Sequence, residues 1–165
     1  MKRKRKVVTV RGEIMTKAEG MNRKYGMGRH VENGTFVELG EERRPEVRDA
    51  HGAIYYYVAP GEHTAFHRID CDEYWCYHCG EALEVCLIDE SGAVKVVSLG
   101  VDENCEPLLL MKRGTIFASK SKKDAGDGTF LSCVTVPRFS DEGFEMFTDE
   151  EIGGKYPDTA AFFRE

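Results

Sequence analysis

Apolar residues along this chain fall in short runs and alternations, and few stretches repeat with the 3.6-residue period of an amphipathic helix. From Val31 onward, segments 54–59, 63–69, 73–79, 83–88, 93–99, 108–112, 115–119, 130–136 and 144–147 have strand length and strand composition. Turn chemistry separates them: Pro60-Gly61, the acidic corner 70–72, Gly80-Glu81, 89–92, 100–107, Arg113-Gly114 and the polar loop 120–128. Short strands at this spacing predict an all-β antiparallel sandwich or barrel. Segment 16–24 reads as a short helix, interrupted by Gly20. With no internal repeat or second apolar domain, residues 15–165 are expected to form one domain behind a flexible basic tail, 1–14.

Charge and composition narrow the partners. The net charge is −6 although residues 2–6 are all basic, so the remainder is more acidic still. An acidic body lacks the clustered lysines and arginines that displace counterions from nucleic acid. No apolar run reaches the ~18 residues of a membrane span. The stretch after the basic run is broken by Arg11 and Glu13, which argues against a secretory leader and for a cytoplasmic protein. In that compartment Cys71, Cys76, Cys79, Cys86, Cys105 and Cys133 are expected to be reduced. The spacing Cys71-x4-Cys76-x2-Cys79, with His78 inside it, suggests zinc or redox chemistry. No second paired knuckle follows, so neither metal nor cofactor is expected.

The most specific signal is GEHTAFHRIDCDEYWCYHCG at 61–80. Gly61, His67, Glu73 and Gly80 stand in the register of the first cupin motif, G-x5-H-x-H-x3-E-x6-G, with Ile69 at the second histidine. Read as a hairpin, one strand offers inward side chains and the next returns Glu73 to the same pocket. The second cupin motif, P-x-G-x2-H-x3-N, falls on 112–121, where Gly114 matches and Phe117 holds the histidine position. Metal-binding cupins use three histidines and a glutamate, and this chain keeps His67 and Glu73 of the four. HVENGTF (30–36), AIYYYVAPGEHTAFHRIDCDEYW (53–75) and VPRFSDEGFEMF (136–147) extend the similarity over residues 25–156. The chain thus resembles the RmlC-like cupin branch listed as a domain of unknown function. Its departures are Val31, Asn33, Cys76 and Phe117, where that branch commonly has Pro, Gly, His and Trp. The resemblance implies a cupin-type antiparallel jelly-roll barrel, usually homodimeric, with a pocket of unassigned purpose.

If His67 and Glu73 face that pocket, alternation turns Ala65, Ile69, Trp75, Tyr77 and Cys79 inward, and Phe66, Arg68, Tyr74, Cys76 and His78 outward. Cys76 and Cys79 then lie on opposite faces, which discounts a redox pair unless a bulge near 70–72 shifts the parity. Thr115, Phe117 and Ser119 face inward on the same logic. A two-residue turn at Pro60-Gly61 pairs Tyr56 with Ala65 and admits Tyr56; a one-residue bulge admits Tyr55 and Tyr57 instead. The candidate site is His67 with Glu73 orienting it, as catalytic or polar centre, walled by Trp75, Tyr77, Phe117, Tyr56 and Ile69. Glu32 and Glu38 read as solvated strand residues or as neighbours of the pocket mouth. The acids from Asp141 to Glu151 read as a solvated face.

Three functions compete. The favoured one is binding of a small organic ligand, carbohydrate-like or apolar, by a homodimer without cofactor, nucleic acid or membrane partner. The second is a metal-independent sugar-nucleotide epimerase, with His67 as base and a pocket tyrosine as acid. The third is a metal-dependent cupin enzyme.

Overall fold

The computed structural model describes residues 7–10, 13–40, 48–122, 124 and 126–163. Residues 1–6 of the expected basic tail lie outside the described residues. After them β1 (Val7–Val10) pairs with β2 (Glu13–Thr16) as a separate hairpin. Helix α1 (Lys17–Tyr25) follows. Its N-terminus is capped from a distance: Asp127 Oδ2 accepts from Ala18 N at 2.9 Å and Oδ1 from Thr16 Oγ1 at 2.6 Å.

Eleven further strands form two antiparallel sheets. They are β3 (Gly28–Arg29), β4 (Thr35–Leu39), β5 (Gly52–Val58), β6 (Phe66–Arg68), β7 (Asp72–Gly80) and β8 (Leu83–Ile88). Next come β9 (Val94–Leu99), β10 (Leu108–Met111), β11 (Ile116–Lys120), β12 (Thr129–Val136) and β13 (Glu145–Phe147). The six-stranded sheet runs β10-β7-β12-β5-β4-β3 and the five-stranded sheet β13-β6-β11-β8-β9. From β5 onward the chain changes sheet at every connection except the β8–β9 hairpin, as in a jelly roll.

Three expectations are corrected by this topology. The closed barrel is not formed: among the described residues no strand ladder joins the two sheets, and β10, β3, β13 and β9 remain edges. The architecture is an open antiparallel sandwich with a short N-terminal helix. The motif strands carrying His67 and Glu73 are not a hairpin either, since β6 pairs with β11 and β13 while β7 pairs with β10 and β12. Tyr56 does not pair with Ala65; its partners are Phe36 and Leu131, because Pro60-Gly61 is a corner between sheets.

A bulge corrects a fourth. Leu131 stands opposite Tyr77 and Phe130 opposite Cys79, so His78 is an extra residue in β7. Trp75 and Tyr77 therefore face the space between the sheets, whereas Cys79 joins Ala18, Tyr57 and Phe130 under α1. Cys76 and Cys79 thus share the outer face of the sheet rather than opposite faces, and all six cysteines are free thiols. Tyr56 faces inward, while Tyr55 and Tyr57 pack beneath α1.

The sequence pattern missed two helices, α2 (Asp149–Lys155) and α3 (Ala160–Phe163). Thr148 and Glu151 form a reciprocal capping box, so part of the C-terminal acid run belongs to a helix N-terminus. Ile152 and Phe162 cover Phe66, Ile88 and Ile116 on the outside of the five-stranded sheet. Among the described residues no helix is long and apolar enough to cross a membrane.

Gly80 closes β7 with φ +106°, and a Cβ there would stand 1.9 Å from the Gly128 carbonyl oxygen. Gly80→Ala should cost ~2–4 kcal/mol, because strain adds to a backbone clash. Gly153→Ala on α2, where a Cβ meets nothing within 4 Å, should instead gain up to ~1 kcal/mol. Urea denaturation of both variants checks the pair, and equal midpoints would contradict the packing at Gly80.

Candidate functional site

The site begins with a turn. His30 N–H donates to Gly34 O at 3.1 Å, and Asn33 and Gly34 both hold positive φ. Tyr56 lies against this turn: its hydroxyl donates to Asn33 O at 2.6 Å, and a Cβ on Gly34 would strike its ring at 2.7 Å. The turn aims Glu32 inward, and Ala65 N–H donates to the Glu32 carbonyl at 2.8 Å. The loop of one sheet is thereby tied to the strand that carries His67 in the other.

His67 Nδ1 stands 2.9 Å from Glu32 Oε2 and 2.9 Å from Ala65 O. Both neighbours are acceptors, so the geometry assigns the proton to Nδ1 and leaves Nε2 without a protein partner among the described residues. The ring is 3% exposed and wedged against Phe117, with centroids 4.2 Å apart. Burial opposes the charge on His67, but Glu32 and the Ala65 carbonyl raise its pKa above the ordinary value. Burial likewise opposes the Glu32 carboxylate, and His67 outweighs it to hold Glu32 low. His30, with Nδ1 3.5 Å from Glu32 Oε1, is pushed down by burial.

These groups border a cavity of about 650 Å³ between the sheets. Glu73 enters it from β7, on the sheet opposite His67. The Trp75 indole N–H and the Cys133 thiol are the donors beside its carboxyl, with the indole nitrogen outside ordinary hydrogen-bond geometry. Burial raises the Glu73 pKa to about 7, with His67 opposing and Glu32 reinforcing the shift. Phe36, Ile54, Ile69, Phe139 and Phe144 supply the apolar wall. Arg29 and Arg138 also border it, the first ion-paired with Glu62 and the second 3.1 Å from Asp49.

Of the residues singled out from sequence, His67, Glu73 and Ile69 lie on the cavity wall. Tyr56, Trp75 and Phe117 form a packed aromatic layer behind it, each no more than 1% exposed. Tyr77 sits elsewhere: its hydroxyl donates to Gly80 O at 2.7 Å, beside a second cavity bordered by Lys17 and Asp127. The carboxylate that orients His67 is Glu32 rather than Glu73. Sequence reasoning missed His30, Cys133, Arg138, Phe139 and Phe144. All but Cys133 lie in 30–36 and 136–147, the two stretches that carried the resemblance outside the histidine motif.

Residues 20–147 match the family model described as the cupin superfamily (DUF985). Among solved structures, a structural-genomics protein of Shewanella oneidensis is 28% identical with a TM-score of 0.78, covering 89% of this chain and 94% of its own. A hypothetical protein from Leishmania major is 26% identical with a TM-score of 0.75, covering 87% and 94%. Oxalate decarboxylase from Bacillus subtilis, at 18% identity and a TM-score of 0.58, covers 78% of this chain and 34% of its own, and shares the fold alone. No curated protein matches.

Cupin enzymes commonly hold a metal, and the residues here do not fit one. Ile69 and Phe117 occupy two of the histidine positions, and His67 directs Nδ1 at Glu32. Among the described residues no group of three His, Cys, Asp or Glu side chains is placed to share an ion.

The electrostatics set a pH dependence. Glu73 is raised from 4.5 to about 7, so its share of stability is present below its unfolded pKa and lost as pH climbs through 7, about 3 kcal/mol in all. His67, also raised, adds stability that disappears in the same direction, while Glu32, depressed, loses its share only as pH falls through its folded value. Thermal denaturation should therefore find the protein more stable near pH 5.5 than near pH 8, roughly, and Glu73→Gln should flatten that decline. A melting temperature that rises from pH 5.5 to 8, about, contradicts the assignment.

Proposed function

The chain belongs to the cupin superfamily, in the branch designated DUF985, and we propose that it binds a small organic molecule in the cavity between its sheets, with His67 and Glu73 as the polar centre. One observation carries this reading: a cavity of about 650 Å³, within the usual range for small-molecule sites, is bordered from facing sheets by two buried ionisable side chains, His67 and Glu73. Apolar walls remove ligand surface from water, and the two polar groups fix orientation. A ligand with an apolar or carbohydrate-like body and at least one polar group suits such a site.

A metal-independent isomerase is the second reading, supported by the Glu32–His67 contact, which holds Nδ1–H toward Glu32 so that Nε2 is the basic atom whenever the ring is neutral. It also needs an acid. Tyr56 donates its hydroxyl to Asn33 O and does not border the cavity, so the tyrosine that an epimerase of this kind would use is not at hand. Binding is the better supported of the two. We also propose that two copies associate through edge strand β10, where Leu108 and Leu110 are exposed.

Native mass spectrometry of the purified protein should show mass beyond the chain that is released on denaturation. His67→Ala should lower occupancy and also cost ~3–5 kcal/mol, since Glu32 would stay buried without its cation. Glu32→Gln/His67→Gln should recover much of that stability while leaving the ligand site impaired. Wild-type occupancy in the double variant overturns the reading. Light scattering should give twice the chain mass, and a monomer at micromolar concentration overturns the β10 assignment.

A further inference from the structure

At the inner end of the cavity the bases gather on one acid: His67 and His30 both stand beside Glu32. Glu32 and Glu73 are 7% and 8% exposed, and His67 is the buried base that faces both. Its Nδ1 is already directed at Glu32 and the Ala65 carbonyl, so Glu73 has no cation of its own. Neither do the arginines on the same wall supply one, because Arg29 is held by Glu62 and Arg138 by Asp49. Buried carboxylates are ordinarily paired, and among the described residues no cation is ion-paired with Glu73; the neutral Trp75 indole and Cys133 thiol are the donors beside it. A metal ion cannot fill the gap, since Ile69 and Phe117 offer it no donors.

We propose that the ligand of this cavity is an organic cation, a primary ammonium on an apolar body, with Glu73 as its counter-ion. The inference rests on the cavity being a small-molecule site, and names the class of molecule it takes. The ammonium gives Glu73 both a charge and donors, with N–H···O⁻ bonds stronger than a hydroxyl would make. Phe36, Phe139 and Phe144 receive the body of the molecule, and their rings favour a positive group near their faces. A carboxylate or phosphate in the same place would instead add negative charge beside Glu32 and Glu73. Sugar nucleotides are disfavoured on that ground.

The chain has one tryptophan, Trp75, whose unpartnered indole N–H lies beside Glu73, so its amide-correlation resonance reports on this spot alone. Benzylammonium should shift that resonance saturably below about 10 mM, whereas benzyl alcohol and benzoate should bind at least roughly tenfold more weakly. Glu73→Gln should lose the benzylammonium response by a similar factor while remaining folded by circular dichroism. Alcohol or benzoate binding as tightly as the amine, or an unchanged response in Glu73→Gln, overturns the charge assignment and leaves the small-molecule site standing. No saturable response to any primary amine from benzyl- to octylammonium overturns it as well. If the native protein also carries no releasable ligand, the small-molecule reading falls with it.

Discussion

The contact between Glu32 and His67 at 2.9 Å fixes the space around which the two sheets are arranged. Taking a carboxylate and an imidazolium out of water costs several kcal/mol per ion, so the pair need not add to stability compared with an apolar filling. What it secures is a single geometry. Glu32 reaches inward because Asn33 and Gly34 turn the chain over the Tyr56 ring, and Ala65 N–H and Asn33 Nδ2 tie that turn to the strand leading into β6. Break the pair and a buried charge is left in a loop whose backbone is otherwise tightly hydrogen-bonded, which the loop cannot relieve by moving.

The alternation of sheets along the chain has a direct chemical consequence. His67 and Glu73 are six positions apart, yet one belongs to β6 of the five-stranded sheet and the other to β7 of the six-stranded sheet. Residues 69–71 make the crossing, with Ile69 and Cys71 buried in the core. A hairpin would have placed both groups side by side on one surface. The crossover sets them on facing surfaces, so a molecule in the cavity can meet both at once.

Much of this was legible in the sequence. Segments 83–88, 93–99, 108–112 and 130–136 coincide with β8, β9, β10 and β12 to within one residue, because their apolar alternation is uninterrupted and their turns are marked by Gly, Asp or Pro. Where the sequence misled, a local physical event intervened. The His78 bulge reversed the side of Cys79, and no composition cue distinguishes a bulged histidine from a regular one. Strand closure depends on hydrogen bonds between sheet edges, about which period-two patterning says nothing, so a barrel and an open sandwich look alike in sequence. Helices α2 and α3 are too short to show a period, and the Thr148-x-x-Glu151 cap was the one readable sign of the first. His67 and Glu73 were found through motif register. Glu32 was noticed without its partner, since a loop and a strand from different sheets share no sequence spacing.

The apolar residues at the lost histidine positions do more than remove donors. Phe117 is 0% exposed and stands edge-on between the rings of His67 and Trp75, at 4.2 and 5.8 Å. It fills volume, so the open space lies on the other side of His67, toward Glu73, Ile69 and the 138–144 segment. A histidine substituted at 117 would enter this packed layer rather than the cavity. It would be buried against the raised-pKa His67 and the unpartnered Trp75 indole, with no carboxylate of its own. Recovering a metal site would require remaking the aromatic layer, not exchanging one ring for another. The site is thus committed by its packing to organic surface, and the acid that such packing leaves at Glu73 is what distinguishes its interior from an ordinary apolar cavity.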